Sequence, residues 1–136
     1  MIFVDTAFWV ALGDRQDTNH VEAKALFRQH AAGSLVTTNH VRGETWTLLR
    51  RRSGHGDAVD FLDRLERSPR VRTIFVTEDL EDDAIRWLRR HDERSYSFVD
   101  AASFAVMRSL RITEALTFDQ DFAVAGFRVA SVSSKT

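Results

Sequence analysis

The chain has 136 residues, 43% of them hydrophobic, and its 19 basic and 20 acidic side chains leave a formal net charge of −1. That length and apolar content suit one domain spanning residues 1–136 around a single core. The near-neutral charge excludes bulk polyelectrolyte attachment to nucleic acid, and the absence of cysteine excludes disulfides, zinc–thiolate sites and a cysteine nucleophile. The start, MIFVDTAFWVAL, lacks a basic leader and is interrupted by Asp5, so it reads as folded structure rather than a signal peptide. No apolar run approaches the roughly 18 residues needed to cross a bilayer, so a soluble, cytoplasmic protein without membrane contact is expected. Lysine occurs only at Lys24 and Lys135, so arginine dominates the basic residues; its planar fork suits phosphate, although a GC-rich coding bias is the simpler explanation.

Residues 1–4 form a short apolar run ending at Asp5 and Thr6, the pattern of a buried strand passing into a helix. Asn19 is placed to cap a helix reaching about residue 32, with Val21, Ala25 and Phe27 or Arg28 on its periodic face. Residues 35–38 predict a second strand. Asn39 then caps a helix over 40–52, with Val41, Thr45 and Leu48 turned inward, until Ser53 and Gly54 break it. A further helix is expected over 57–67, with Val59, Leu62 and Leu65 or Glu66 on successive turns, stopped by Ser68 and Pro69. Residues 71–76 resemble a third strand, and 78–91 a helix with Leu80, Ala84, Trp87 and Leu88 inward. Ser97 caps an apolar helix running to about residue 110, followed by a strand over 115–118, a short helix over 120–125 and a last strand over 127–132. Alternating strands and helices predict an α/β fold with a parallel sheet between helices, which binds ligands at the carboxyl ends of its strands.

Acidic residues fall repeatedly at that edge. Asp5 follows the first strand, where it could serve chemistry or simply cap the next helix. Glu44, in HVRGETWTLLRR, lies three residues after Val41 and four before Leu48, which turns it toward the core edge rather than toward a surface pairing with Arg51. Asp100 sits inside SFVDAASFAVM; Ser97 and Asp100 have capping-box spacing, yet the surrounding helix is apolar on most sides. Burying a carboxylate without a partner costs several kcal/mol. In LTFDQDF, Asp119 and Asp121 follow a strand immediately, and either could cap the short helix. Gathered at one sheet edge, these groups would repel and raise one another's pKa unless a cation neutralised them. Oxygen donors without His or Cys match a hard ion, Mg²⁺ or Mn²⁺.

The segments IFVDTAFWVAL, NHVRGETWTLLRRR, YSFVDAASFAVM and ALTFDQDFAVAGF, in this order, resemble the PIN-domain ribonucleases of the VapC toxin type over essentially the whole chain. The resemblance implies a PIN-like three-layer sandwich and a metal-dependent endoribonuclease. It also implies catalytic, metal-holding roles for Asp5, Glu44, Asp100 and Asp119, leaves the role of Asp121 open, and lets Thr6 orient the first carboxylate. It implies a VapB-type antitoxin partner and a homodimer. The wording GETWTLL with YSFVDA and SFAVM is similar to members that cut large-subunit ribosomal RNA at the sarcin–ricin loop; others cut transfer RNA. A metal-activated water would leave 5′-phosphate and 3′-hydroxyl ends. Arg50, Arg51, Arg52, Arg89, Arg90 and Arg94 are candidate phosphate contacts, and His40 lies near enough to meet substrate. Trp9, Trp46 and Trp87 have the spacing of packing residues rather than base-stacking ones. A receiver or dehalogenase-type phosphotransfer module fits poorly, for want of a suitably placed Lys and of a second Asp where Ala7 stands. A non-catalytic RNA- or antitoxin-binding domain of the same fold is the remaining alternative.

Overall fold

The computed structural model describes residues 1–131. Strand β1 (Ile2–Val4) leads into α1 (Thr6–Gly13) and α2 (His20–His30). Strand β2 (Leu35–Thr38) leads into α3 (Asn39–Arg52) and α4 (His55–Arg67). Strand β3 (Val71–Ile74) precedes α5 (Glu78–Arg90) and α6 (Phe98–Leu110); β4 (Glu114–Leu116), α7 (Asp121–Val124) and β5 (Arg128–Val129) complete the described fold. The five strands are all parallel, in the order β3-β2-β1-β4-β5. The chain steps from β1 outward to β3, then crosses back to the other side of β1. Right-handed crossovers in opposite directions place α1–α4 on one face of the sheet and α5–α7 on the other, consistent with the packing of α1 on α2, α3 and α4 and of α6 on α5 and α7. This is the three-layer α/β arrangement expected of the sequence.

The core explains why the middle strands carry unbroken apolar runs. Phe3, Val4, Leu35, Val36, Ala115 and Leu116 are buried on both faces of the sheet. Trp9 spans the layers: its indole N–H donates to Thr37 Oγ1 at 3.2 Å, and that hydroxyl donates to the Val4 carbonyl at 3.0 Å. The start of α1 is therefore fixed to both β1 and β2.

Several local expectations shift. Thr38, not Asn39, caps α3, accepting from Val41 N at 3.0 Å, while the Asn39 side chain accepts from Val76 N at 2.8 Å and ties α3 to the segment after β3. On α2, Val21 is 80% exposed and Ala23 and Leu26 are buried instead. On α4 the buried positions are Ala58, Phe61 and Leu65. The third strand stops at Ile74 and the fourth at Leu116, and the last is only Arg128–Val129; Val132 lies outside the described residues. Among the described residues, no helix is long and apolar enough to cross a membrane.

Candidate active site

The strand order reverses between β1 and β4, so two chain segments diverge from adjacent carboxyl ends and leave a crevice. Asp5 leaves β1 there, and Thr117, Phe118 and Asp119 leave β4. The crevice opens into a cleft of about 450 Å³ lined by Asp5, Glu44, Asp100, Asp119 and Asp121 together with Arg52. All five acidic residues singled out in the sequence thus face one space. Carboxylate oxygens of Asp100, Asp119 and Asp121 lie within 4.8 Å of one another. Asp5 and Glu44 line the same cleft outside that tight group.

Each aspartate is also held locally, by a hydrogen bond or an ion pair. Asp5 caps α1, with Oδ1 accepting from Phe8 N at 3.0 Å, and Oδ2 accepts from the Thr117 hydroxyl at 2.5 Å. Thr117 Oγ1 in turn accepts from Asp119 N at 2.9 Å. One threonine therefore joins the carboxylate after β1 to the backbone after β4. Asp100 completes a capping box with Ser97: its Oδ2 accepts from Ser97 N at 3.1 Å, and Ser97 Oγ accepts from Asp100 N at 3.0 Å. Asp119 Oδ1 accepts from Asp121 N at 2.9 Å. Among the described residues, Asp100 Oδ1 and Asp119 Oδ2 accept no such bond. Asp100 and Asp119 are thus each oriented through one oxygen and keep the other uncommitted.

Glu44 projects from α3 half-buried, alongside Leu48, while Val41, Thr45 and Leu49 form the fully buried stripe. The turn of the helix that was expected to bury Leu48 buries Leu49 instead, leaving Leu48 at the cleft wall.

The electrostatics are those of crowded carboxylates with little compensation. Burial lifts the Asp5 carboxyl to about 7; the Thr117 and Phe8 hydrogen bonds oppose this, and the charges of Asp119 and Asp100 add to it. Burial likewise lifts Asp100 to about 6, with Asp119 contributing repulsion. Asp119 is raised by burial and by its neighbour Asp121. Arg94 forms an ion pair with Asp121 at the edge of the site. A divalent cation fits this donor set: three carboxylates with oxygens inside 4.8 Å, two of them with an uncommitted oxygen, and no competing soft ligand. Thr6 also lines the cleft, and its buried hydroxyl has no hydrogen-bond partner among the described residues, which leaves a polar atom beside the carboxylates to be satisfied.

The surroundings differ from sequence expectation in three respects. Thr6 does not orient Asp5; Thr117 does. The T-x-D spacing of TFD, a Thr hydroxyl accepting from the N–H two residues on, is the sequence signal for that threonine. His40 does not line the cleft, but pairs with Glu81 at 3.3 Å and packs against Phe98. Arg94 is engaged by Asp121, whereas Arg52 lines the cleft and Arg50, Arg51, Arg89 and Arg90 are exposed. Asp17 and Asn19, from the loop between α1 and α2, also line the cleft. Trp9 and Trp87 are packing residues, as their spacing predicts.

A parallel sheet ordered β3-β2-β1-β4-β5 with an acidic cleft at its switch point defines an α/β domain built to gather carboxylates. The PIN domain family matches residues 2–128, and the chain belongs to that family. Its curated relatives include the 23S rRNA-specific endonuclease VapC20 of Mycobacterium tuberculosis strain H37Rv, 55% identical over 127 residues, which span 93% of this chain and 95% of that protein. A VapC ribonuclease of Archaeoglobus fulgidus is 27% identical over 126 residues, covering 89% of this chain and 78% of the relative. The crystal structure of Mycobacterium tuberculosis VapC20, described as a sarcin–ricin loop cleaving toxin, superposes with a TM-score of 0.90 at 52% identity, over 96% of this chain and 99% of that one.

Proposed function

We propose that this chain is a VapC-type toxin, a metal-dependent endoribonuclease that hydrolyses an RNA phosphodiester in 23S ribosomal RNA at the sarcin–ricin loop. The observation that carries the chemistry is the convergence of Asp100, Asp119 and Asp121 oxygens within 4.8 Å, beside buried Asp5, at the sheet's switch point. The choice of RNA rests on the 55% identity to a 23S rRNA-specific endonuclease.

In this reading Asp5, Glu44, Asp100 and Asp119 are the catalytic carboxylates and would hold Mg²⁺ or Mn²⁺. A divalent cation lowers the pKa of its bound water and stabilises charge on phosphoryl oxygens. Thr117 holds Asp5 at a fixed angle to Asp119, so the two carboxylates need not reorganise during the reaction. Arg94 pairs with Asp121, whose carboxylate stays within the tight group with Asp100 and Asp119, so Asp121 stands between the guanidinium and any ion held there. A water activated by the ion would act in place of the substrate's own 2′-hydroxyl, so the products would carry 5′-phosphate and 3′-hydroxyl ends. A VapB-type antitoxin as inhibitor, a homodimer and a cytoplasmic setting complete the proposal.

Purified chain incubated with ribosomes and with total tRNA, in Mg²⁺ or EDTA, tests it against Asp5→Asn. A single Mg²⁺-dependent cut in the sarcin–ricin loop, mapped by primer extension and absent with Asp5→Asn, is the expected outcome. Cuts confined to tRNA would overturn the ribosomal target, and unchanged RNA in every lane would overturn the enzyme.

A further inference from the structure

The acidic cleft creates a difficulty for its own substrate. It presents six carboxylates against one guanidinium, Arg52, so even with a divalent ion in place it remains negative and repels a polyanion. Attraction for an RNA backbone has to come from cations outside it.

A second cavity, of about 380 Å³, lies between α1, α2 and α4. It adjoins the cleft through a single short loop: Arg15 and His20 line the cavity, while Asp17 and Asn19, between them in sequence, line the cleft. Arg15, Lys24, Arg28 and Arg64 face this cavity against only two carboxylates. Among the described residues, none of the four cations forms a salt bridge. Lys24 and Arg28 stand one turn apart on the same side of α2. Arg64 is held over the Phe27 ring, 5.5 Å from its centroid, and His20 Nδ1 is fixed on the Ala11 carbonyl at 2.8 Å. Arginine forks beside a concave surface, one of them held over an aromatic ring and none salt-bridged among the described residues, match phosphate oxygens in geometry as well as charge.

We propose that the cavity between α1, α2 and α4 is an anchor for an RNA backbone phosphate, gripping the strand a short way from the bond that the acidic cleft cuts. The proposal rests on the nuclease reading for the cut, but the anchor can be measured without it.

The test uses Lys24→Glu/Arg28→Glu, two exposed positions on α2, with circular dichroism confirming the fold. Equilibrium binding of a stem-loop RNA is measured in full-length chain carrying Asp5→Asn, so that nothing is cut. The charge reversal is expected to weaken binding roughly tenfold or more and to flatten the dependence of affinity on salt. With Asp5 intact, KM for ribosomes should rise while kcat holds, and an oligonucleotide too short to reach the cavity should be cut as before. Unchanged RNA affinity overturns the anchor. So does loss of binding to a polyglutamate peptide with RNA affinity intact, which assigns the cavity to an acidic protein partner. If RNA affinity falls but the native chain cuts no RNA, the nuclease reading fails and the anchor stands.

Discussion

Thr117 shows how much of the site depends on a residue that cannot itself hold charge. Its hydroxyl donates to Asp5 and accepts from the Asp119 amide, so Thr117→Val removes both restraints and leaves a buried carboxylate oxygen unsatisfied. Loss of a supporting hydrogen bond of this kind costs about 10–100-fold in metal affinity or activity. Activity on ribosomes should fall by that amount in Thr117→Val and return in Thr117→Ser. The raised carboxyls set a second expectation. With Asp5 at about 7 and Asp100 at about 6, binding a divalent ion must expel protons below neutrality. Mg²⁺ affinity should weaken about tenfold per pH unit below about 7, and more steeply below about 6, as calorimetry in buffers of different ionisation enthalpy would reveal. A pH-independent affinity between 5 and 8 would contradict it.

At the scale of helices and strands, α1 packs closely against α3 at Gly13. A Cβ on Gly13 would come within 3.1 and 3.2 Å of the two terminal carbons of Leu49, itself fully buried. Gly13→Ala should therefore cost roughly 1–3 kcal/mol in denaturant unfolding, and Leu49→Val should recover part of the loss in the double variant. Strand–helix alternation, the Ser97–Asp100 capping box and the four acidic positions were legible in the sequence because each depends on neighbours or on a fixed period. What was not legible depends on distant partners. Asn39 has the chemistry of a cap, but Val76 N claims its side chain, so Thr38 takes the cap. Val21 has the right spacing for a core stripe, yet the approach of α1 to α2 selects Ala23 and Leu26. Thr117 acts across 112 residues, and no local pattern reports its partner.

The whole molecule carries its function at some cost in stability. Asp5 has a folded pKa of about 7 against an ordinary value of 3.8, so without metal its contribution is fully present below about pH 4 and is lost as pH rises through 7. Three pKa units correspond to a loss on the order of 4 kcal/mol. At pH 8 the metal-free Asp5→Asn variant should melt roughly 5 °C or more above the native chain; added Mg²⁺ should raise the melting temperature of the native chain and leave the variant nearly unchanged. Equal melting temperatures for the two metal-free proteins at pH 8 would refute this. The crossing back of the chain from β3 to β4 has a further consequence. Asp5 is among the first residues to be synthesised, but the threonine that aims it and the aspartate beside it arrive only with β4, the neighbour of β1 that is made more than 100 residues later. The nascent chain therefore has no assembled carboxylate site until β4 docks, and a chain cut short after α6 would lack Thr117 and Asp119 altogether.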